Sequence, residues 1–162
     1  MPDHPPYRAY AGIVATFVAA LGAVSGVAAA RNRPPAKIGA TDLALLGLAT
    51  FKASRTVARD KVTSFVREPF VEGEAYEGEG EQPLHDSELK QALGELVTCT
   101  RCIGTWIGAG LASVQILAPR TGRLLTSVLA AGALNDFLLA GFAALTNKSN
   151  ELEGRAGRAS GA

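Results

Sequence analysis

The sequence predicts an all-α integral membrane helical bundle: three full spans, plus one short re-entrant or interfacial helix with a basic amphipathic extension. Three observations predict it. Apolar residues, 48% of the 162, gather in long runs, while charge collects in the middle of the chain and at its C-terminus. Two of those runs reach about twenty residues, enough at 1.5 Å per residue to cross roughly 30 Å of hydrocarbon. Ala and Gly are abundant and only 6% of residues are aromatic, a composition suited to closely packed helices rather than a large β core.

The first element is YAGIVATFVAALGAVSGVAAA, Tyr10–Ala30, 21 residues without a charge. Its Ala28-Ala29-Ala30 end imitates a signal-peptide cleavage site. The run is nevertheless longer than a usual signal core, and positive charge is heavier after it than before it. Residues 1–30 therefore read as an N-terminal segment ending in a retained anchor. The second element, Ile38–Phe51, has 14 residues including Asp42 and is short for a straight span. Asp42 suits an N-cap or first-turn place, against the positive end of the helix dipole. The helix is expected to continue through KASRTVARDKVTSFVREPF, with Lys52, Arg55 and Arg59 on one face and Phe51, Ala58, Val62 and Phe65 on another. Arg55, Arg59 and Lys61 are candidate contacts to anionic headgroups. An ordinary solvated face packed on the rest of the protein would use the same residues.

Glu72–Gln82 reads EGEAYEGEGEQ, five glutamates and three glycines, a solvated loop without the spacing of a calcium loop. Asp86–Val97 then places Leu89, Leu93, Leu96 and Val97 at helical spacing behind a capping Asp86 or Ser87. Residues 31–101 thus form one membrane-associated segment. Cys102–Pro119 and Leu124–Thr146 follow as a transmembrane hairpin, residues 102–146, around a polar turn at Pro119–Arg123. Gly104 and Gly108 make a GxxxG surface extended by Ala112, and Gly22 and Gly26 repeat the spacing. Such surfaces let another helix approach closely; packing within the chain is favoured, and a homo-oligomer stays open. Residues 147–162 read as a disordered tail.

Basic residues mark the cytoplasmic side. If Ile38–Phe51 does not cross, the N-terminus lies outside, with 13 Lys and Arg inside against 3 outside. If it crosses, both termini lie inside and the split is 11 against 5. The first split is the better one. Both place the cell-membrane segment from Lys52 to Arg101 in the cytoplasm.

That segment ends in ELVTCTRCIGTW, which holds both cysteines. In a reducing compartment a permanent disulfide is not expected, so Cys99 and Cys102 should be mostly thiols. Three readings remain. The leading one is packing at the helix entrance, beside a Trp106 anchored at the interface. A second is half of a zinc site, its missing ligands drawn from His85, His4, a carboxylate or another subunit. The third is redox, with the Cys99 thiolate favoured by the helix N-terminus and by Arg101.

Asn135-Asp136 lies at the middle of the last run. A carboxylate at that depth costs about 2.5–3.5 kcal/mol and must be neutral, paired or wet. Hydrogen bonding to Thr16, Ser113 or Gln115 is the plainer reading, and ion handling the functional one. There is no Walker loop, GxSxG, HExxH or dinucleotide fingerprint, and a net charge of +1 gives no field for nucleic acid.

Two motifs in order complete the pattern. Asp60, Lys61, Thr63, Phe65, Arg67, Pro69 and Phe70 spell a basic "DK-T-F-R-PF" helix. After the acidic linker, Cys99, Cys102, Gly104 and Trp106 spell a "TC-xx-C-GxW" entrance. Over about Asp42 to Thr146 the chain resembles bacterial domain-of-unknown-function family 1360, departing from it with Thr100-Arg101 where the family has Pro-Trp between the cysteines. The resemblance implies a small multi-span bacterial membrane protein, some relatives being labelled sporulation proteins, and implies no activity. The expected function is a non-enzymatic membrane scaffold or interaction protein without a cofactor, whose partners are lipid and another membrane protein. The alternatives are a thiol- or zinc-dependent membrane factor and a small transporter subunit.

Overall fold

A computed structural model describes residues 5–32, 39–73 and 80–160, with side chains described as far as Arg155. Its elements are α1 (Tyr7–Ala30), α2 (Ala40–Arg59), α3 (Ser64–Arg67), β1 (Val71–Glu72), β2 (Gln82–Pro83), α4 (Glu88–Thr98), α5 (Thr100–Leu117) and α6 (Pro119–Ser160). Single 3-10 turns, Lys61–Thr63 and Glu68–Phe70, flank α3. The expected all-α class is correct; the pair of two-residue strands is a local clip.

Local chemistry sets the ends. Asp42 sits in the first turn of α2 and accepts from the Gly39 N–H at 3.2 Å. Ser87 caps α4 by accepting from the Lys90 N–H, and Asp86 instead holds the Lys90 ammonium. Cys99 caps α5. Pro119 opens α6, because its missing N–H costs nothing at the start of a helix. Only Ala118 separates α5 from α6, so the expected turn at Pro119–Arg123 is instead the first turn of α6. The close return needs Gly122, where a Cβ would stand 2.5 Å from the Gln115 Cα.

Contacts along the helices fix their directions. On α1 and α5, Tyr10 meets Glu95 just before α5, Phe17 meets Trp106, and Val24 shares a cleft with Ser113, so the two run the same way. On α2, Ser54 lies under Gly104 and Thr50 under Gly108, so α2 runs against α5. α6 reverses direction after α5 and packs along α2, with Ala49, Leu111 and Ala130 as the buried centre of the three. The start of α1, the ends of α2 and α6 and the start of α5 therefore share one end of the bundle. There α3, the β clip and α4 form a cap.

Two expectations are corrected. Ile38 lies outside the described residues; the rest of the short apolar stretch continues as expected into the basic residues, as the single 20-residue helix α2 packed on α5 and α6, but the helix ends at Arg59 rather than Phe70. Its buried face is Ala49, Ser54 and Ala58, while Phe51, Val62 and Phe65 are exposed. The helix stops at Asp60, whose backbone is extended (φ −75°, ψ 143°), so no single amphipathic helix runs on to Phe70. The tail read as disordered is helix to Ser160, held over its charged stretch by Glu151, which pairs with Lys148 at 3.1 Å and with Arg155.

Two helices, α1 and the Pro119–Arg155 part of α6, are long and apolar enough to cross a membrane. In their most apolar stretches only 6% and 11% of residues are buried, whereas the core helix of a soluble protein would be mostly covered.

Candidate functional site at the junction of bundle and cap

The helix N-terminus of α5 brings the two cysteines together. Their Cα atoms are 5.2 Å apart and their sulfurs lie at disulfide distance. The Cys102 N–H points at the Cys99 sulfur at 3.3 Å, so one side chain both caps the helix and faces its partner. Where mostly thiols are expected, the geometry places the two sulfurs close enough to form a disulfide. Arg101, between them, is exposed. Among the described residues no group of three His, Cys, Asp or Glu assembles a metal site; His4 lies outside those residues.

One turn and more below, α5 presents Gly104 and Gly108 to α2. A Cβ on Gly108 would meet the Thr50 hydroxyl at 3.2 Å, and one on Gly104 would meet Ser54 at 3.6 Å. Small residues on both helices are what let the backbones come this close. Gly22 and Gly26 face open space. Trp106 lies between α1 and α5. Its ring packs edge-on against Phe17 with centroids 5.0 Å apart, joining α1 to α5 over an apolar cleft of about 130 Å³.

Asp136 finds a partner that the sequence reading had placed elsewhere. Lys52 Nζ donates to its carboxylate at 2.8 Å, beside Phe51 stacked on Phe137. The lysine stem lies over Gly132, within van der Waals reach of where a Cβ would stand there. The three partners expected for Asp136 are otherwise engaged: Thr16 and Ser113 bond to carbonyls one turn back, and Gln115 donates to Thr126 at 2.7 Å. Asn135, its neighbour in sequence, is exposed. Arg55, Arg59 and Lys61 are exposed at the cap end.

The most buried ion pair among the described residues was missed altogether. Arg67, fully buried, is met from two sides. Glu81 takes its Nε at 2.9 Å and its Nη2 at 3.0 Å, while Nη1 donates to the Val57 and Asp60 carbonyls and to Thr63. Glu81 is itself almost covered, so the acidic stretch is not solvated at that end; residues 74–79 lie outside the described residues. The β clip, Val71 opposite Pro83 and Glu72 opposite Gln82, brings Glu81 back to α3. The one sequence signal was Arg67's place in the basic motif.

These positions fall within a family match. The profile of a family described as "Protein of unknown function (DUF1360)" matches residues 45–141. The chain belongs to the DUF1360 family. The matched stretch runs from within α2 to within α6 and includes Lys52, Arg67, Glu81, both cysteines and Asp136. No curated protein and no solved structure matches this DUF1360 chain.

Proposed function

We propose that this DUF1360 protein is a multi-pass membrane scaffold whose cap, with the cysteine pair, lies in the cytoplasm and serves as a docking platform. The single observation that carries the non-enzymatic reading is what its polar side chains do. Lys52 and Asp136, Arg67 and Glu81, Gln115 and Thr126, and Tyr10 and Glu95 each tie two segments together. Groups that an enzyme would aim into a cleft are here spent on holding helices in register.

Four crossings fit this arrangement better than three. With α2 lying antiparallel to α5 along its length, α1, α2, α5 and α6 alternate direction, and both termini join the cap. Charge still makes the cap the inner side, though the split is less one-sided than with three crossings: the cap side holds 11 Lys and Arg against 5 opposite, Arg31, Arg120 and Arg123 among them. α2 falls below the hydropathy of a self-sufficient span, and its worst residue, Lys52, is neutralised by α6. Extraction of membranes from expressing cells tests the reading. The chain should resist carbonate and yield only to detergent, and crosslinking in those membranes should recover cap-bound protein; release by carbonate alone would end it.

A second reading is favoured by the sulfur pair. A CxxC whose first cysteine caps a helix can cycle between dithiol and disulfide, exchanging two electrons and two protons with a partner dithiol. Acid-quenched thiol trapping from growing cells decides it: a fixed, single redox state removes this reading, and stoichiometric metal on the purified protein would replace it with zinc.

A further inference from the structure

We propose that α6 is a dimerisation helix, its outward face pairing in parallel with the same face of a second copy of this chain. The parallel arrangement rests on the membrane reading above, since all copies insert with one orientation.

As far as Asp136 the helix has a covered and an open face; from Phe137 to Arg155 it is exposed on every side, so there the seam is set by its spacing. Gly122, Thr126, Ala130, Ala133 and Asp136 turn toward α5 and α2. Diametrically opposite, Leu124, Val128, Leu138, Phe142, Leu145 and Leu152 are between 53% and 74% exposed. Their spacing alternates four and three residues, with Ala131, Asn135 and Ser149 filling the places between. That is an unbroken heptad seam from Leu124 to Leu152. A straight helix would let such a seam drift by about 20° per heptad, so a seam this long fits a gentle left-handed coil around a partner.

Lipid alone would cover an apolar face, but two features of the seam are poorly served by lipid. First, it continues beyond the apolar run into the stretch bearing Lys148, Glu151, Glu153 and Arg155, where Leu152 remains exposed among charges. Second, Asn135 lies on the seam at the middle of the apolar run, and among the described residues its side chain has no hydrogen-bond partner. A carboxamide facing hydrocarbon is costly, and two Asn135 side chains meeting at a seam satisfy each other. A lone Asn at such a position also selects two parallel strands in one register.

Charge identifies the partner as a second copy. With Leu145 and Leu152 on the seam, Lys148 flanks it on one side and Glu153 on the other, five residues further on. In a parallel pair those are the facing flank positions, so Lys148 of each copy meets Glu153 of the other, twice by symmetry. An antiparallel neighbour would not bring these two together, nor would it align Asn135 with Asn135.

The test uses the full chain in native membranes, in a Cys99→Ser/Cys102→Ser background carrying one new cysteine. Copper-phenanthroline oxidation should give a disulfide-linked dimer with Ser149→Cys on the seam and none with Asn147→Cys on the opposite face. No dimer at Ser149→Cys, equal yields at both places, or an adduct whose mass is not twice the chain overturns the proposal. In the Ser149→Cys chain, Lys148→Glu should lower the yield about twofold, and adding Glu153→Lys should restore it; failure of that rescue also overturns it. A chain that leaves the membrane in carbonate would defeat the membrane reading instead, and the fractionation is read separately from the crosslink.

Discussion

Two ion pairs, one in the cap and one in the bundle, show how differently this molecule handles charge. Arg67 and Glu81 are 0% and 5% exposed and share a bidentate contact, and two carbonyls and a hydroxyl accept from the guanidinium's Nη1. Lys52 and Asp136 are 27% and 36% exposed and share one contact across two helices. In the cap the protein builds the whole polar environment itself. In the bundle it supplies a counter-charge and little else, and the rest of the shielding falls to whatever surrounds the helices. A sealed pair is expensive to break from one side, because the survivor has no water to turn to. A half-open pair is more forgiving.

The largest effect should therefore come from Glu81→Ala, which strands a buried guanidinium and should cost about 3–5 kcal/mol. Thermal unfolding in detergent measures it, and replacing both partners by apolar residues should recover much of the loss. If Glu81→Ala unfolds no earlier than Asp136→Ala, the contrast between the two pairs is wrong. Next come two glycines, one in each region. A Cβ on Gly94 would lie 2.5 Å from the Phe70 carbonyl, and one on Gly122 equally close to Gln115, so each Ala variant should lose about 1–3 kcal/mol. A loss confined to Gly122→Ala would mean that the cap is looser than its packing suggests. Third, Asp136→Ala should cost about 1–2 kcal/mol, and the exchange Lys52→Asp with Asp136→Lys should restore most of it. The smallest effect belongs to the cap exterior. Lys90→Ala removes an exposed pair with Asp86 and should change stability by about 0.5 kcal/mol or less.

What could be read in advance follows the range of the interaction. Apolar length announced α1 and α6, and local capping chemistry announced α4 and the start of α5, because those signals lie within a few residues. The sequence reading erred on α2 because its buried face carries Ser54, and Lys52 beside that face is half-buried; on one helix they look like a wet side. Their true neighbours, on α5 and α6, are about fifty and eighty-four residues away. Glu81 was hidden by its company: five glutamates in a row of glycines read as solvated, and only the clip of β1 with β2 singles out the one that meets Arg67. The C-terminal stretch looked disordered because Gly and charge dominate its composition, while the Lys148–Glu151–Arg155 ladder holds it as helix. Of the candidate residues, the cysteines and Asp136 were recognisable as types, but what they touch was not.

Sidedness is the most direct test of the account. Single cysteines at Arg8, Thr100, Thr121 and Asn147, each in a Cys99→Ser/Cys102→Ser chain, would be exposed in intact cells to an impermeant maleimide. Four alternating crossings predict that only Thr121→Cys reacts from outside, and that the other three react once the membrane is opened. Labelling of Arg8→Cys together with Thr121→Cys would mean that α2 stays on one side. Labelling of Thr100→Cys from outside would turn the whole arrangement over.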